Sequence, residues 1–163
     1  MSGEGVTAGH SLAIKVKVGD AAPNFEGFTS DGSRLGLRDL IGRKNVVLYF
    51  YPKDDTPGCT KEACSFRDNI KPIRDLGAEI VGVNLDSVNS HKQFADKYHL
   101  PFPLVSDKEK RIATAYGVLK ETGKSASRVT FIINKSGKIC KIFPKVDVSK
   151  HTEEVVSALK ELP

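Results

Sequence analysis

Residues 45–64 read NVVLYFYPKDDTPGCTKEAC, and their reading decides the fold. Residues 45–52 form a continuous apolar run rich in β-branched and aromatic side chains. Such a run suits a central strand buried on both faces. Pro52 ends it, because proline has no N–H to give a ladder. Thr56 and Pro57 then mark a helix start: threonine is a good N-cap and proline suits the first helical position. The pattern predicts one helix over residues 57–76. Cys59 would lie in its first turn, where unpaired backbone N–H groups and the helix dipole favour an anion. The thiolate is the reactive form of cysteine and is stabilised at a helix N-terminus. This placement makes Cys59 a candidate nucleophile.

Outward from that stretch, residues 14–18 (IKVKV) alternate strictly and read as a strand. Asp31-Gly32 predicts a hairpin between short strands, and residues 37–41 one helical turn. Downstream, residues 79–85 (EIVGVNL) read as a second buried strand, and residues 90–98 as a helix capped by Ser90. Residues 104–106 are expected as a short strand and 110–116 as a short helix. Residues 129–133 and 139–143 flank Asn134-Lys-Ser-Gly137 and read as a hairpin. Ser149 is expected to cap a last helix running to residue 162, with Glu153 and Glu154 near its positive end. Apart from the short strand and helix within 104–116, the order β-α-β-α-β-β-α resembles that of an α/β protein with a thioredoxin-like layout: a mixed central sheet flanked by helices, here with an N-terminal β-hairpin extension.

The chain has 163 residues, enough for one domain with its own core. Residues 1–12 carry Gly3, Gly5 and Gly9 and read as a loose tail, leaving 13–163 as the single domain. No apolar run approaches the roughly 18 residues of a membrane span, and the N-terminus has neither a secretory nor a transit pattern. A cytoplasmic location is expected. The net charge of +5 is dispersed over Lys15, Lys17, Lys135, Lys138, Lys141 and Lys145, which alternate with apolar or small residues. That is the solvated face of strands, so no nucleic-acid partner is expected.

Three cysteines are too few for a disulfide scaffold and point to reactive or buried thiols. Cys59 and Cys64 are five residues apart. On an intact helix their Cα atoms would stand about 8–9 Å apart, whereas a disulfide needs less than about 7 Å. If the two form a disulfide, the first turns of the helix must unwind. From spacing alone, the pair reads equally well as two small core residues. A closed zinc site lacks its other ligands, a plant-type iron–sulfur site would need cysteine where Arg67 stands, and a thioredoxin-type C-x2-C is absent. His10, His91, His99 and His151 are scattered and read as surface or satisfied residues.

Pro52-x-x-x-Thr56-x-x-Cys59 resembles the peroxiredoxin signature P-x-x-x-T-x-x-C. The fuller run TPGCTKEAC, with GDAAPNF upstream and RVTFII downstream, resembles the peroxiredoxin Q subfamily, also called bacterioferritin comigratory protein. The resemblance extends from about Val18 to the C-terminal helix.

What the resemblance implies is a peroxidase in which Cys59 attacks a hydroperoxide and Cys64 resolves the sulfenic acid as an intramolecular disulfide. It implies that Thr56 hydrogen-bonds the thiolate or the peroxide, that Pro52 shields the site from water, and that Arg128 is the active-site arginine. Glu62 matches an acidic position three residues after the cysteine, and its expected role is structural: charge near the helix start, or a salt bridge. Thioredoxin or a glutaredoxin-like protein would be the reductant, with no metal, haem or flavin. Cys140 is expected as a structural thiol and the protein as a monomer, with a weak homodimer as the alternative. Two readings compete: a thiol–disulfide oxidoreductase without peroxidase activity, and a basic interaction module with unused cysteines.

Overall fold

The computed structural model describes residues 14–162. The expected tail, 1–12, and His10 lie outside them. In chain order the elements are β1 (Glu26–Phe28), β2 (Arg34–Gly36), a 3-10 turn (Leu37–Asp39), β3 (Asn45–Phe50), α1 (Pro57–Asp68), α2 (Ile70–Asp75), β4 (Ala78–Asn84), α3 (Val88–Tyr98), β5 (Leu104–Ser106), α4 (Arg111–Tyr116), β6 (Val129–Ile133), β7 (Ile139–Phe143) and α5 (His151–Lys160). The apolar run that opened the sequence reading is the middle strand of a five-stranded sheet ordered β5-β4-β3-β6-β7.

Every residue of β3 is buried. Val46, Leu48 and Phe50 join one core cluster, while Val47, Tyr49 and Tyr51 join the other. Alternate side chains of a strand face opposite sides of the sheet, so one strand feeds both layers. β3 runs parallel to β4 and antiparallel to β6. A parallel neighbour requires a crossover, which α1 and α2 supply between β3 and β4. α1, α2, α5 and Phe94 of α3 cover one face; α4 and the 3-10 turn cover the other. The result is the mixed α/β, thioredoxin-like sheet expected from the sequence. β1 and β2 pair as the expected hairpin, with Gly32 at φ +84° in its loop.

Four local expectations are corrected. Residues 14–18 form no strand. Ile14 and Val16 do pack on the core, so the alternation reports facing correctly, but Lys15 N finds only the carbonyl of Tyr116 and no strand pairs with the segment. The helix expected over 57–76 is two helices broken at Asn69. Pro72 has no N–H for the Asp68 carbonyl and its ring crowds that position. The cap of α3 is Ser87, whose hydroxyl accepts from Ser90 N at 3.1 Å. Ser149 does not cap α5: it bonds Asp147 at 2.6 Å, and the helix begins at His151 with Glu153 and Glu154 in its first turn.

Candidate active site

α1 presents Cys59, Glu62, Ala63 and Phe66 to the interior. Those positions are i, i+3, i+4 and i+7, one stripe of a helix. Ala63 and Phe66 pack with Tyr49, Tyr51 and Ile73, and that packing presses the helix start onto the sheet. Cys59 is the third residue of the helix and 1% exposed. Thr56 has the extended backbone of an N-cap, but its side chain makes no cap bond. Its hydroxyl donates instead to the carbonyl of Lys53 at 3.1 Å.

Arg128, just before β6, reaches across to α1. Its Nη2 donates to Cys59 Sγ at 3.3 Å and its Nη1 to Glu62 Oε1 at 2.8 Å. Gly58 permits this approach: a Cβ there would stand 3.2 Å from Arg128 Nη2. Glu62 is 1% exposed. Burial pushes its carboxyl up to about 7, against the pull of Arg128. Tyr49 Oη, Glu62 Oε2 and His151 Nδ1 are buried with no partner among the described residues, and all three groups feel the charge of Arg128. His151 donates or accepts at Nε2 with Thr130 Oγ1, 2.8 Å away, and burial followed by Arg128 pushes its ring down to about 4, so it is neutral.

The structure thus brings Cys59, Glu62 and Arg128 into bonding contact. Pro52 and Thr56 stand half-buried in the loop between β3 and α1, and the expected bond from Thr56 to the sulfur is not among the contacts. Cys64 is half-buried on the same intact helix, and all three cysteines are free thiols. Five residues of helix turn it about 140° from Cys59, away from the buried stripe. Cys140 is half-buried in β7. Of the histidines, His91 and His151 are buried and His99 is exposed at the end of α3. Gly58 escaped the sequence reading, since only the arginine's arrival explains it. No cluster of three metal-ligating residues and no helix long and apolar enough to cross a membrane occurs among the described residues.

Residues 18–142 match the AhpC/TSA family. The chain is 42% identical over 155 residues to peroxiredoxin Bcp of Bacillus subtilis, covering 91% of this chain and 98% of that one. Peroxidoxin BcpB of Mycobacterium tuberculosis superposes with a TM-score of 0.84 at 33% identity, covering 90% of this chain and 98% of the other. The bacterioferritin comigratory protein of Xanthomonas campestris, solved in trapped intermediate and ligand complexes bearing on its alkyl peroxide reduction, superposes with a TM-score of 0.80 at 35% identity, covering 90% and 97%.

Proposed function

The chain belongs to the AhpC/TSA family and is a peroxiredoxin of the Bcp, or Q, type, a peroxidase; from that premise we propose that Cys59 is the thiolate that attacks the peroxide and Cys64 the thiol that resolves the product. The observation that carries the assignment is the bond from Arg128 Nη2 to Cys59 Sγ, 3.3 Å long, at the buried first turn of α1. A guanidinium and a helix N-terminus both favour an anionic sulfur there.

The Cys59 thiolate attacks one oxygen of ROOH in line with the O–O bond. The S–O bond forms, the O–O bond breaks, and its electron pair leaves on RO⁻, which takes a proton to become ROH. Cys59 is left as sulfenic acid. Arg128 and the N–H groups of the helix start are fixed donors for the charge that develops on the departing oxygen, the arrangement that lowers such barriers most. The Thr56 hydroxyl joins them if it leaves the Lys53 carbonyl. Pro52 limits water at the entrance. The Cys64 thiolate then attacks the sulfenic sulfur, displacing hydroxide, which is protonated to water. The disulfide is reduced by exchange with a thioredoxin-type dithiol.

Hydrogen peroxide and organic hydroperoxides are the proposed substrates, the latter supported by the alkyl peroxide reduction of the Xanthomonas relative. The proposed setting is the cytoplasm, whose reducing poise keeps thiols free, with the protein acting as a monomer. A coupled peroxidase assay with thioredoxin tests the assignment. Cys59→Ser should abolish turnover, and Cys64→Ser should allow one fast oxidation and then stall. Normal turnover by Cys64→Ser would remove Cys64 as the resolving thiol.

A further inference from the structure

The loop that joins β3 to α1 carries two consecutive aspartates, and both are tied to α3. Asp55, at φ +60°, accepts from Lys97 Nζ at 2.8 Å and Tyr98 Oη at 2.9 Å. That tie is exposed, and exposed ion pairs contribute little. Asp54 is different. Its side chain is 4% exposed and that of its partner His91 is 0% exposed. Asp54 Oδ1 accepts from Tyr51 Oη at 2.6 Å and Asn84 Nδ2 at 3.3 Å. Its Oδ2 accepts from Ser90 Oγ at 2.7 Å and bonds His91 Nδ1 at 2.6 Å. Its backbone N–H donates to Asp86 Oδ2 at 2.8 Å. The other ring nitrogen of His91 faces the carbonyl of Val105 at 3.1 Å.

Four donors fill the four lone-pair directions of one carboxylate. Both nitrogens of His91 are engaged, one with the Asp54 carboxylate and one with the Val105 carbonyl. Burial pushes the Asp54 carboxyl up, but the bond and charge of His91 and the hydroxyls of Tyr51 and Ser90 outweigh it and leave the group below the usual carboxylate range. A buried, fully bonded charged group of this kind specifies one arrangement of the backbone around it. The backbone here lies two residues after Pro52, two before Thr56 and five before Cys59.

We propose that Asp54 and His91 are positioning residues for the reaction at Cys59: they fix the 52–56 loop, and with it the start of α1, against β4, β5 and α3. They touch neither the sulfur nor the peroxide. The inference rests on Cys59 being the attacking thiol. A misplacement of about 1 Å in a reacting geometry can cost about 10²-fold in rate, and this pair prevents one.

The test is the second-order rate of Cys59 oxidation by hydrogen peroxide, in the Cys64→Ser background so that the sulfenic acid can be trapped with dimedone and weighed. Asp54→Ala should slow it by about 10- to 100-fold. Asp54→Asn should recover it to within about fivefold of the parent, because the amide can donate to His91 Nδ1 and Ser90 while the ring donates to Val105. Lys97→Gln, which loosens only the exposed tie, should stay within about twofold. A folded Asp54→Ala at the parent rate would overturn the proposal. So would an Asp54→Asn as slow as the alanine variant, or an equal loss in Lys97→Gln. If Asp54→Ala does not fold, His91→Leu and His91→Gln decide: a clear loss in the first, partly recovered in the second, supports the pair, and a parent rate in His91→Leu overturns it. Failure of the parent Cys59 to oxidise at all would overturn the assignment of the attacking thiol as well, which the variants alone do not.

Discussion

Replacing Arg128 by alanine removes two charge-assisted bonds, 3.3 Å to Cys59 Sγ and 2.8 Å to Glu62 Oε1, and the two losses separate by assay and by pH. At the sulfur, a fixed donor aimed at developing charge disappears, which costs about 10²–10³ in rate. At Glu62 the effect is on stability. Its carboxyl is raised from 4.5 to about 7 by burial, with Arg128 pulling the other way. A raised folded value means that the stability Glu62 contributes is complete below 4.5 and is lost as pH rises through about 7. At about 1.4 kcal/mol per unit, that window is worth roughly 3 kcal/mol in the native protein. Without the guanidinium the loss continues above pH 7. Urea unfolding should therefore find Arg128→Ala near the native protein at about pH 5 and increasingly behind it toward about pH 8.5. The chain has no tryptophan, so oxidation is best followed by quenched flow and mass measurement. Arg128→Ala combined with Glu62→Gln should regain the stability at high pH and none of the rate. An equal stability loss at both pH values, or a peroxide rate within about threefold of native, would refute the reasoning.

On the proposed chemistry, oxidation to the Cys59–Cys64 disulfide should strip hydrogen-exchange protection from the amides of the first half of α1; an unchanged helix in the oxidised protein would rule out the coupling. Phe66→Ala, at a 0% exposed position against Tyr49 and Phe102, should cost about 3–5 kcal/mol in urea unfolding.

β3 was legible because burial on both faces leaves a run of apolar and aromatic side chains after Asn45 with no polar alternation, and the hairpins because Asp31-Gly32 and Asn134-Lys-Ser-Gly137 are local turn chemistry. Residues 14–18 misled because alternation reports which side chains face inward, and a strand needs a partner that the sequence does not name. Ser90 looked like a cap by position, but three residues earlier Ser87 does that work and Ser90 is spent on Asp54. The contact of Arg128 with Cys59 spans 69 residues and that of His91 with Asp54 spans 37. The first was reachable through a motif. The second was not, because the histidine reads as one of four scattered ones until α3 lies against the loop. Thr56 was placed correctly on the backbone as the residue before α1, and its hydroxyl, free to turn, donates to the near carbonyl of Lys53.

The proposed chemistry makes opposite demands on the start of α1. Attack needs Cys59 held on the buried stripe beside Arg128; resolution needs the same turns undone, because Cys64 lies about 140° around the helix. The anchors bound where the undoing can occur. Asp54 fixes the chain before the helix. Beyond Cys64, Ser65 bonds Thr152 at 2.6 Å, Phe66 is fully buried, and Arg67 Nη1 donates to the carbonyl of Tyr98 at 2.8 Å. Between those anchors the helix gives up a few backbone bonds, each worth about 0.5–1.5 kcal/mol net, along with the burial of Cys59 and its bond to Arg128. On the proposed chemistry the attacking thiolate gives up its negative charge on becoming a sulfenic acid, so oxidation would weaken the contact with Arg128 that keeps the turn closed. The proposed first half-reaction would thereby lower the cost of the opening that the proposed second requires.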